Sequence, residues 1–441
     1  MPNRVAFYTL GCRLNQSETA SLERSFQAQG YRIVDFGASA DIVVVNTCTV
    51  TERGDADTRR LVNKINRVNP KARIALIGCQ AQIQKEQLAK LPNVRFVVGN
   101  ARKMDLPVIL RDVQSTDSDK SAQIIVPAIP RTSFTQAVAG IDRHHTRANL
   151  KIQDGCDFFC SFCEIPFARG RARSRVFDNI FTEARVLVEA GHKELVLTGI
   201  NLGAYRYQQK TILDVLDKLD KIDNLERIRI SSIEPTTIPF ELIKRMGKTK
   251  LCRYLHIPLE SGSNSVLKAM RRKYTTQEFA DFITRSRRAV PGLCIGTDVM
   301  VGFPGESEKC FNETFEYLSN LPVSYFHVFS YSDRTLNKSR TYADKVPHNI
   351  IQQRSQALRN LGQQKRRIFM ESLLGTRQKV LFEQKKDGLW TGLTDNYVRV
   401  KAGSQKNLRN QLLSVSLKQI SGQAITGCLA PKLTGTGKKL R

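Results

Sequence analysis

The sequence predicts an α/β protein built of three successive parts: a parallel α/β layer, a larger array of βα units forming a partial barrel, and a small closing β-barrel. Short apolar runs alternate with amphipathic stretches in two separate arrays, the pattern of strands covered by helices. The pattern then changes to short β runs punctuated by Gly388, Gly392, Gly403, Gly422 and Gly427. A length of 441 residues also exceeds what one core usually serves, so two to three domains are expected.

In the first array, strand-like runs fall at residues 5–10, 42–45, 74–77 and 96–98. Residues 111–145 break the rhythm with Ser, Asp, Thr and two prolines, and read as a linker carrying one edge strand. The second array has runs near 150–152, 194–197, 227–230, 254–257, 295–301 and 325–329. Six such units suit an open or partial barrel with its functional groups on the loops after the strands. A charged helix at about 352–371 leads into β runs at 379–382, 397–400 and 413–417. The expected division is therefore 1–112, a linker 113–145, 146–371 and 372–436.

Hydrophobic residues at 41% and charged residues at 25% exclude a disordered chain. No apolar run reaches membrane-spanning length, and the amino terminus passes straight into a strand-like pattern instead of a signal peptide's apolar core. A cytoplasmic protein without a membrane partner is expected. The 69 basic and 41 acidic residues leave +28, more than solubility asks for, which points to a polyanionic partner; a merely solvated basic surface is the alternative. From Ile351 onward, 18 Lys/Arg face 4 Asp/Glu, a net +14. Ten cysteines in such a compartment are reduced thiols, so their clustering signals metal or catalysis.

Cys156-Asp157-Phe158-Phe159-Cys160-Ser161-Phe162-Cys163 places three thiols in a C-x3-C-x2-C spacing after the first barrel strand. Three cysteines can bind three irons of a [4Fe–4S] cubane and leave the fourth open, as a reactive cluster needs. Structural zinc would want a fourth ligand, and neither His nor Cys stands at a suitable local spacing. This motif, with aromatic Phe162 before the last cysteine, resembles the radical S-adenosylmethionine superfamily. The resemblance implies that the open iron chelates S-adenosylmethionine and that one electron cleaves it to methionine and a 5′-deoxyadenosyl radical. It also implies cofactor contacts at successive strand ends, from Phe162, Gly199, Asn201, Ser232, Glu234, Glu260, Ser261, Asp298 and His327.

Cys12, Cys48 and Cys79 each lie one to three residues beyond a predicted parallel strand. Such strand ends share one edge of an open sheet, where ligands bind, although three small buried thiols would look the same. Their surroundings decide between these. Thr9-Leu10-Gly11-Cys12-Arg13-Leu14-Asn15-Gln16-Ser17-Glu18, Asn46-Thr47-Cys48-Thr49-Val50 and Gly78-Cys79 resemble the amino-terminal domain of the methylthiotransferases, in which such cysteines hold a second [4Fe–4S] cluster. The carboxyl-terminal part resembles their TRAM domain, an RNA-binding module. The resemblance implies a flavodoxin-like first domain, a radical SAM partial (β/α)6 barrel and an OB-like small barrel. It further implies that one S-adenosylmethionine methylates a sulfur held on the second cluster while another opens the substrate carbon. An adenine C2–H is neither acidic nor attached to a leaving group, so a radical route is chemically reasonable. A reducing partner such as a flavodoxin or ferredoxin is implied; the sulfur donor is not.

Arg169, Arg171, Arg173 and Arg175 follow the cysteine loop directly, and four guanidinium groups suit phosphate recognition or, alternatively, internal ion pairs to barrel carboxylates. Ala168-Arg169-Gly170-Arg171-Ala172-Arg173-Ser174-Arg175 and Asn46-Thr47-Cys48-Thr49-Val50-Thr51 resemble the methylthiotransferases that act on N6-threonylcarbamoyladenosine beside the tRNA anticodon. An arginine can pair with the threonyl carboxylate, whereas an isopentenyl group would leave it unpaired at about 1–3 kcal/mol. Arg171 or Arg173 is the favoured carboxylate partner, with phosphate binding as the other role. Isopentenyladenosine in tRNA and a ribosomal-protein aspartate are the alternative substrates. A non-catalytic RNA-binding protein with a redox-sensing cluster is the rival from another class, and the open iron argues against it. The chain departs from the family pattern at Glu260, where Gln is common, at Glu164, where an aliphatic residue is usual, and at 332–337, which lacks Pro-Gly character. Cys252, Cys294, Cys310 and Cys428 match no ligand position and read as ordinary thiols.

Overall fold

The computed structural model describes residues 3–49, 52–113, 121–138 and 146–430. Residues 114–120 and 139–145 of the predicted linker, 50–51, and the last stretch of the predicted third part lie outside the described residues.

The amino-terminal sheet contains β1 Arg4–Thr9, β2 Arg32–Val34, β3 Ile42–Thr47, β4 Arg73–Gly78, β5 Val94–Val98 and β6 Gln123–Ile125. All pairs are parallel, in the order β2-β1-β3-β4-β5-β6. Val43, Val45, Ile74, Leu76 and Val97 pack on one face, and Ile42, Val44, Ala75, Ile77, Phe96 and Val98 on the other. Burial on both faces is why these strands read as continuous apolar runs and not as alternations. The edge strands β2 and β6 are three residues each and partly exposed, and β2 is too short to leave such a trace. β6 is the edge strand expected within the linker, so that segment extends the sheet.

The second part contains β7 Arg147–Lys151, the short antiparallel pair β8 Gln153–Asp154 and β9 Arg173–Ser174, β10 Glu194–Thr198, the hairpin β11 Arg206–Tyr207 and β12 Lys210–Thr211, then β13 Arg227–Ile230, β14 Tyr254–His256, β15 Cys294–Val301 and β16 Tyr325–Ser330. β13-β10-β7 and β14-β15-β16 are parallel sheets joined by a bridge between Ile228 and Leu251, which gives the open six-stranded barrel that the six apolar runs anticipated. The helix His348–Glu371 packs along β16.

The third part is a closed barrel, β17-β18-β19-β21-β20, from β17 Arg377–Lys386, β18 Leu389–Thr394, β19 Arg399–Gly403, β20 Leu412–Ser421 and β21 Ala424–Leu429. β18 and β21 were not marked in the sequence. Val380, Phe382, Val400, Val415 and Ile425 share one core with Cys252, Tyr254, Cys294 and Tyr325 of the larger barrel. Cys252 and Cys294 are thus core thiols, as expected. Arg229, fully buried, pairs with Glu194 at 2.6 Å and donates to the carbonyls of Thr394 and Asp395 at 3.2 and 2.9 Å, so the small barrel is docked by buried polar contacts as well. Among the described residues, no helix is long and apolar enough to cross a membrane.

Candidate active site

The β8–β9 pairing closes the base of an excursion, residues 155–172, that carries Cys156, Cys160 and Cys163. Gly155 starts it at φ +71°, and a Cβ there would lie 2.0 Å from the Arg171 carbonyl oxygen, so the return of the loop requires glycine. Ser161 ties the loop to the barrel through its backbone N–H to the Met270 carbonyl at 3.1 Å and its hydroxyl to the Ala269 carbonyl at 2.9 Å. Arg272 donates to Cys160 Sγ at 3.2 Å and pairs with Glu234. Burial pushes the Cys156 thiol up to about 11 and Cys163 higher, and neighbouring thiols add to both shifts. A cationic group among them reverses that preference and ionises all three. No three His, Cys, Asp or Glu side chains among the described residues gather tightly enough for a single metal ion. A cubane instead puts each thiolate on its own iron, and three mutually interacting thiols on one loop fit that group.

Cys12, Cys48 and Cys79 follow β1, β3 and β4, which are neighbours in the sheet, so topology brings them to one edge. Cys12 precedes the helix Arg13–Ala28, and Cys79 opens the helix Cys79–Ile83. A Cβ on Gly11 would stand 2.9 Å from Cys48 Sγ, so the Cys12 loop lies directly against the second cysteine. Beneath them is a buried ionic network. Arg169, 1% exposed, bonds Glu18 at 3.1 Å, Asp154 at 2.9 Å and the Asn15 side chain at 2.5 Å. Lys103 and Lys151 also pair with Glu18, and Lys151 and Arg173 with Asp154. Four cations therefore face two carboxylates. The excess positive charge lies beside Cys12 and Cys79, whose thiolates interact electrostatically with Arg169. Three convergent thiols over a net positive floor fit an anionic cluster. Asn100 adds a donor 3.7 Å from Cys79 Sγ and also bonds the Ala168 carbonyl at 2.7 Å.

Beside Cys163 is a cavity of about 200 Å³, walled by Phe162, Cys163, Glu260, Asp298, Met300, Phe329 and Tyr331, with Thr49, next to Cys48, also lining it. Glu260 sits at φ +71°, and burial, reinforced by Asp298 and Glu234 and opposed by Arg272, pushes its carboxyl up to about 8. A carboxyl held protonated at neutral pH offers the donor and acceptor of the Gln common at this position. Asp298 accepts from His256 at 2.8 Å, and His327 stacks 5.6 Å from His256, its own basicity lowered by burial and by that neighbour. Other expected cofactor residues act behind the cavity. Asn201 Oδ1 accepts from the Glu234 N–H at 3.2 Å and from Thr237 at 2.9 Å. Gly199 leaves room for Gln153, which caps the N–H groups of Ile200 and Asn201 at 2.8 and 2.9 Å. Ser232 accepts the Leu202 N–H through its carbonyl at 3.3 Å, and Ser261, buried, faces Thr314 at 3.3 Å.

The arginine run divides, as a correction to its reading as four substrate contacts. Arg169 and Arg175 are fully enclosed: Arg175 is held by Glu183, Asn179 and the Lys151 carbonyl. Both take the internal ion-pair role, because both terminal nitrogens of Arg169 and all three nitrogens of Arg175 are bonded from within. Arg173 is mostly buried against Asp154, with Nε left without a partner. Arg171 is 45% exposed, 4.3 Å over the Phe159 ring and 3.6 Å from Asp157. Sequence reasoning missed Asn15, Glu18, Lys103, Lys151, Asp154 and Arg272, and the roles of the last four exist only through packing. Asn15 and Glu18 had a signal, since both fall inside the quoted Cys12 segment. A second cleft, about 360 Å³, lies at the seam of the two barrels and is lined by Arg366, Tyr397, Arg399, Lys401, Ser421 and Gln423 with no carboxylate.

Family models match the chain in two places: the Radical SAM superfamily over residues 150–318 and an uncharacterized protein family, UPF0004, over residues 4–99. The chain is 37% identical over 425 residues to a threonylcarbamoyladenosine tRNA methylthiotransferase MtaB from Bacillus subtilis, covering 94% of this chain and 93% of that one. It is 38% identical over 411 residues to the same-named protein of Aquifex aeolicus, covering 92% and 98%. Among solved structures, the radical S-adenosylmethionine methyltransferase TsrM from Kitasatospora setae, with cobalamin and a [4Fe–4S] cluster bound, aligns at TM-score 0.57 and 16% identity over 75% of each chain, a likeness of fold.

Proposed function

The chain belongs to the radical SAM tRNA methylthiotransferases of the threonylcarbamoyladenosine group, and from that premise we propose that it attaches a methylthio group to C2 of N6-threonylcarbamoyladenosine beside the anticodon of tRNA. The observation that carries this reading is one cavity lined both by Cys163 and by Thr49, which is adjacent to Cys48. Cys156, Cys160 and Cys163 would hold the cluster that, with S-adenosylmethionine, supplies one-electron chemistry able to open an unactivated C–H bond. Cys12, Cys48 and Cys79 would hold a second [4Fe–4S] cluster, over a network whose excess positive charge offsets thiolate charge.

Phe162, Glu260 and Asp298 line the space for S-adenosylmethionine, while Asn201, Gly199, Ser232, Ser261 and Glu234 shape the strand ends behind it, and His327 lies on β16 beside His256. Bringing cofactor and base into one small cavity is the protein's contribution, because proximity and exclusion of water lower the barrier before any bond changes. Arg171 is the member of its run free to meet a threonyl carboxylate, its guanidinium already oriented by Phe159. The cleft around Arg366, Arg399 and Lys401, with Tyr397 for stacking, suits the phosphates and bases of an anticodon stem-loop. In this reading residues 1–112 carry the second cluster, 146–371 the radical chemistry and 372–436 the RNA contact, and a flavodoxin or ferredoxin in the cytoplasm supplies the electron. Mass spectrometry of tRNA nucleosides from a strain lacking the protein tests it. Loss of the 2-methylthio-threonylcarbamoyl nucleoside with the isopentenyl counterpart intact is the expected result; the reverse pattern refutes the substrate.

A further inference from the structure

We propose that Arg334, acting through Glu164, is a positioning residue that fixes the spacing of the two cysteine triplets, so that transfer of the methylthio group depends on it more than cleavage of S-adenosylmethionine does. The inference rests on the proposed function for its reaction, but not for its geometry.

Each relevant contact begins next to a cysteine. Glu164 follows Cys163, Thr49 follows Cys48 and Gln80 follows Cys79. Arg334, 4% exposed in the loop after β16, donates Nε to Glu164 at 3.1 Å, one terminal nitrogen to Asp55 at 2.7 Å and the other to the Thr49 hydroxyl at 2.9 Å. The Thr49 hydroxyl in turn donates to Glu164 at 3.0 Å. Asp55 also accepts from Gln84 at 2.7 Å, and Gln84 accepts from Gln80 at 3.0 Å. A continuous polar chain thus runs from beside Cys79 to beside Cys163 and touches the neighbour of Cys48 on the way. The same loop is laced to the radical-cluster segment by Asn337, which donates to the Phe162 carbonyl, and by the Ser339 N–H, which meets the Ser161 carbonyl at 2.9 Å.

Glu164, a departure from the family pattern, is therefore answered by Arg334 of the loop 332–337. A planar guanidinium has fixed donor directions, so three acceptors from separate segments are satisfied together at one mutual spacing only. Apolar packing would tolerate sliding, and a buried ion pair adds little stability over it, which leaves geometry as what the pair supplies. Misplacement by about 1 Å can cost about a hundredfold in a positioned reaction.

The test compares the native full chain with Arg334→Met, Arg334→Lys and the double variant Glu164→Leu with Arg334→Met, which removes the Glu164–Arg334 pair together and leaves Asp55 bonded to Gln84. By hydrogen exchange, backbone amides of residues 46–49 and 158–164 in Arg334→Met and in the double variant should lose protection together, by about tenfold or more. In the reconstituted enzyme, S-adenosylmethionine cleaved per methylthio group transferred should rise by about tenfold or more in the same variants, with Arg334→Lys between them and the native protein. A merely structural role lowers cleavage and transfer in step and leaves that ratio unchanged. Unchanged protection in both segments, or an unchanged ratio, overturns the proposal. If the native enzyme leaves threonylcarbamoyladenosine unmodified, the substrate reading fails, and the exchange measurement still decides the role of Arg334.

Discussion

Replacing Arg169 with Met removes the centre of the ionic network under Cys12 and Cys79, and its cost can be worked from the contacts. Arg169 makes four bonds, to both carboxylate oxygens of Glu18 and to Asp154 and Asn15, between 2.5 and 3.2 Å. Removing one partner of a buried ion pair costs about 3–5 kcal/mol where it leaves the other charge unpaired. Lys103 and Lys151 remain on Glu18 and Lys151 and Arg173 on Asp154, which places the expected loss at the lower end, about 3 kcal/mol. That is a large share of a typical total of about 5–15 kcal/mol. The assay is urea unfolding of the cluster-free protein, with Arg171→Met as the control. Exposed Arg171 should change stability by less than about 1 kcal/mol. The pH dependence adds a second readout. Burial alone would raise Glu18, but Arg169, Lys103 and Lys151 outweigh it and hold the carboxyl well below its usual range. A depressed carboxyl stabilises the fold above its unfolded pKa, and that contribution is lost as pH falls through the folded value, so the native protein should weaken as pH drops below about 4.5 and the variant should do so less steeply. A loss below about 1 kcal/mol, equal to that of the Arg171 control, would refute the account of the network.

Three further outcomes are expected. Anaerobically reconstituted protein should hold about eight irons; replacing Cys156, Cys160 and Cys163 with Ala should remove about half and abolish S-adenosylmethionine cleavage, whereas replacing Cys12, Cys48 and Cys79 should spare cleavage and stop transfer, and full iron in the latter would remove the second cluster. Because the small barrel shares a core with the larger one, RNA contact is better tested by substitution than by truncation: Arg399→Gln with Lys401→Gln should weaken tRNA binding and lower its log–log salt slope by about two, and an unchanged slope would exclude that cleft. Glu260, titrating at about 8 when folded, takes up a proton on folding between its unfolded value and 8, so its contribution falls as pH rises through that window; Glu260→Gln should gain relative to the native protein by at most about 1.4 kcal/mol per pH unit, and a pH-independent difference would show that the carboxyl is ionised throughout.

What could be read in the sequence was whatever is encoded locally or repeated. The C-x3-C-x2-C segment has its ligands within one loop, and the central strands, buried on both faces, cannot avoid being apolar runs. β2, β18 and β21 escaped for the opposite reason, being short, at an edge, or in a barrel of mixed exposure. The departures at Glu164 and at 332–337 were visible but unexplained, since 170 positions separate Glu164 from its partner Arg334.

By itself, then, the sequence determined the order of the three parts, the close spacing of Cys156, Cys160 and Cys163 and the basic character of the carboxyl-terminal region. Only the tertiary structure decided which like residues act alike. Sheet order, with β1, β3 and β4 adjacent, gathers Cys12, Cys48 and Cys79 at one edge. Of four arginines spaced two apart, Arg169 and Arg175 are enclosed and Arg171 is open. The physical reason is that side-chain chemistry is a property of the residue, whereas burial, charge balance and convergence belong to the segments that pack around it, and those segments are brought together only when the chain folds.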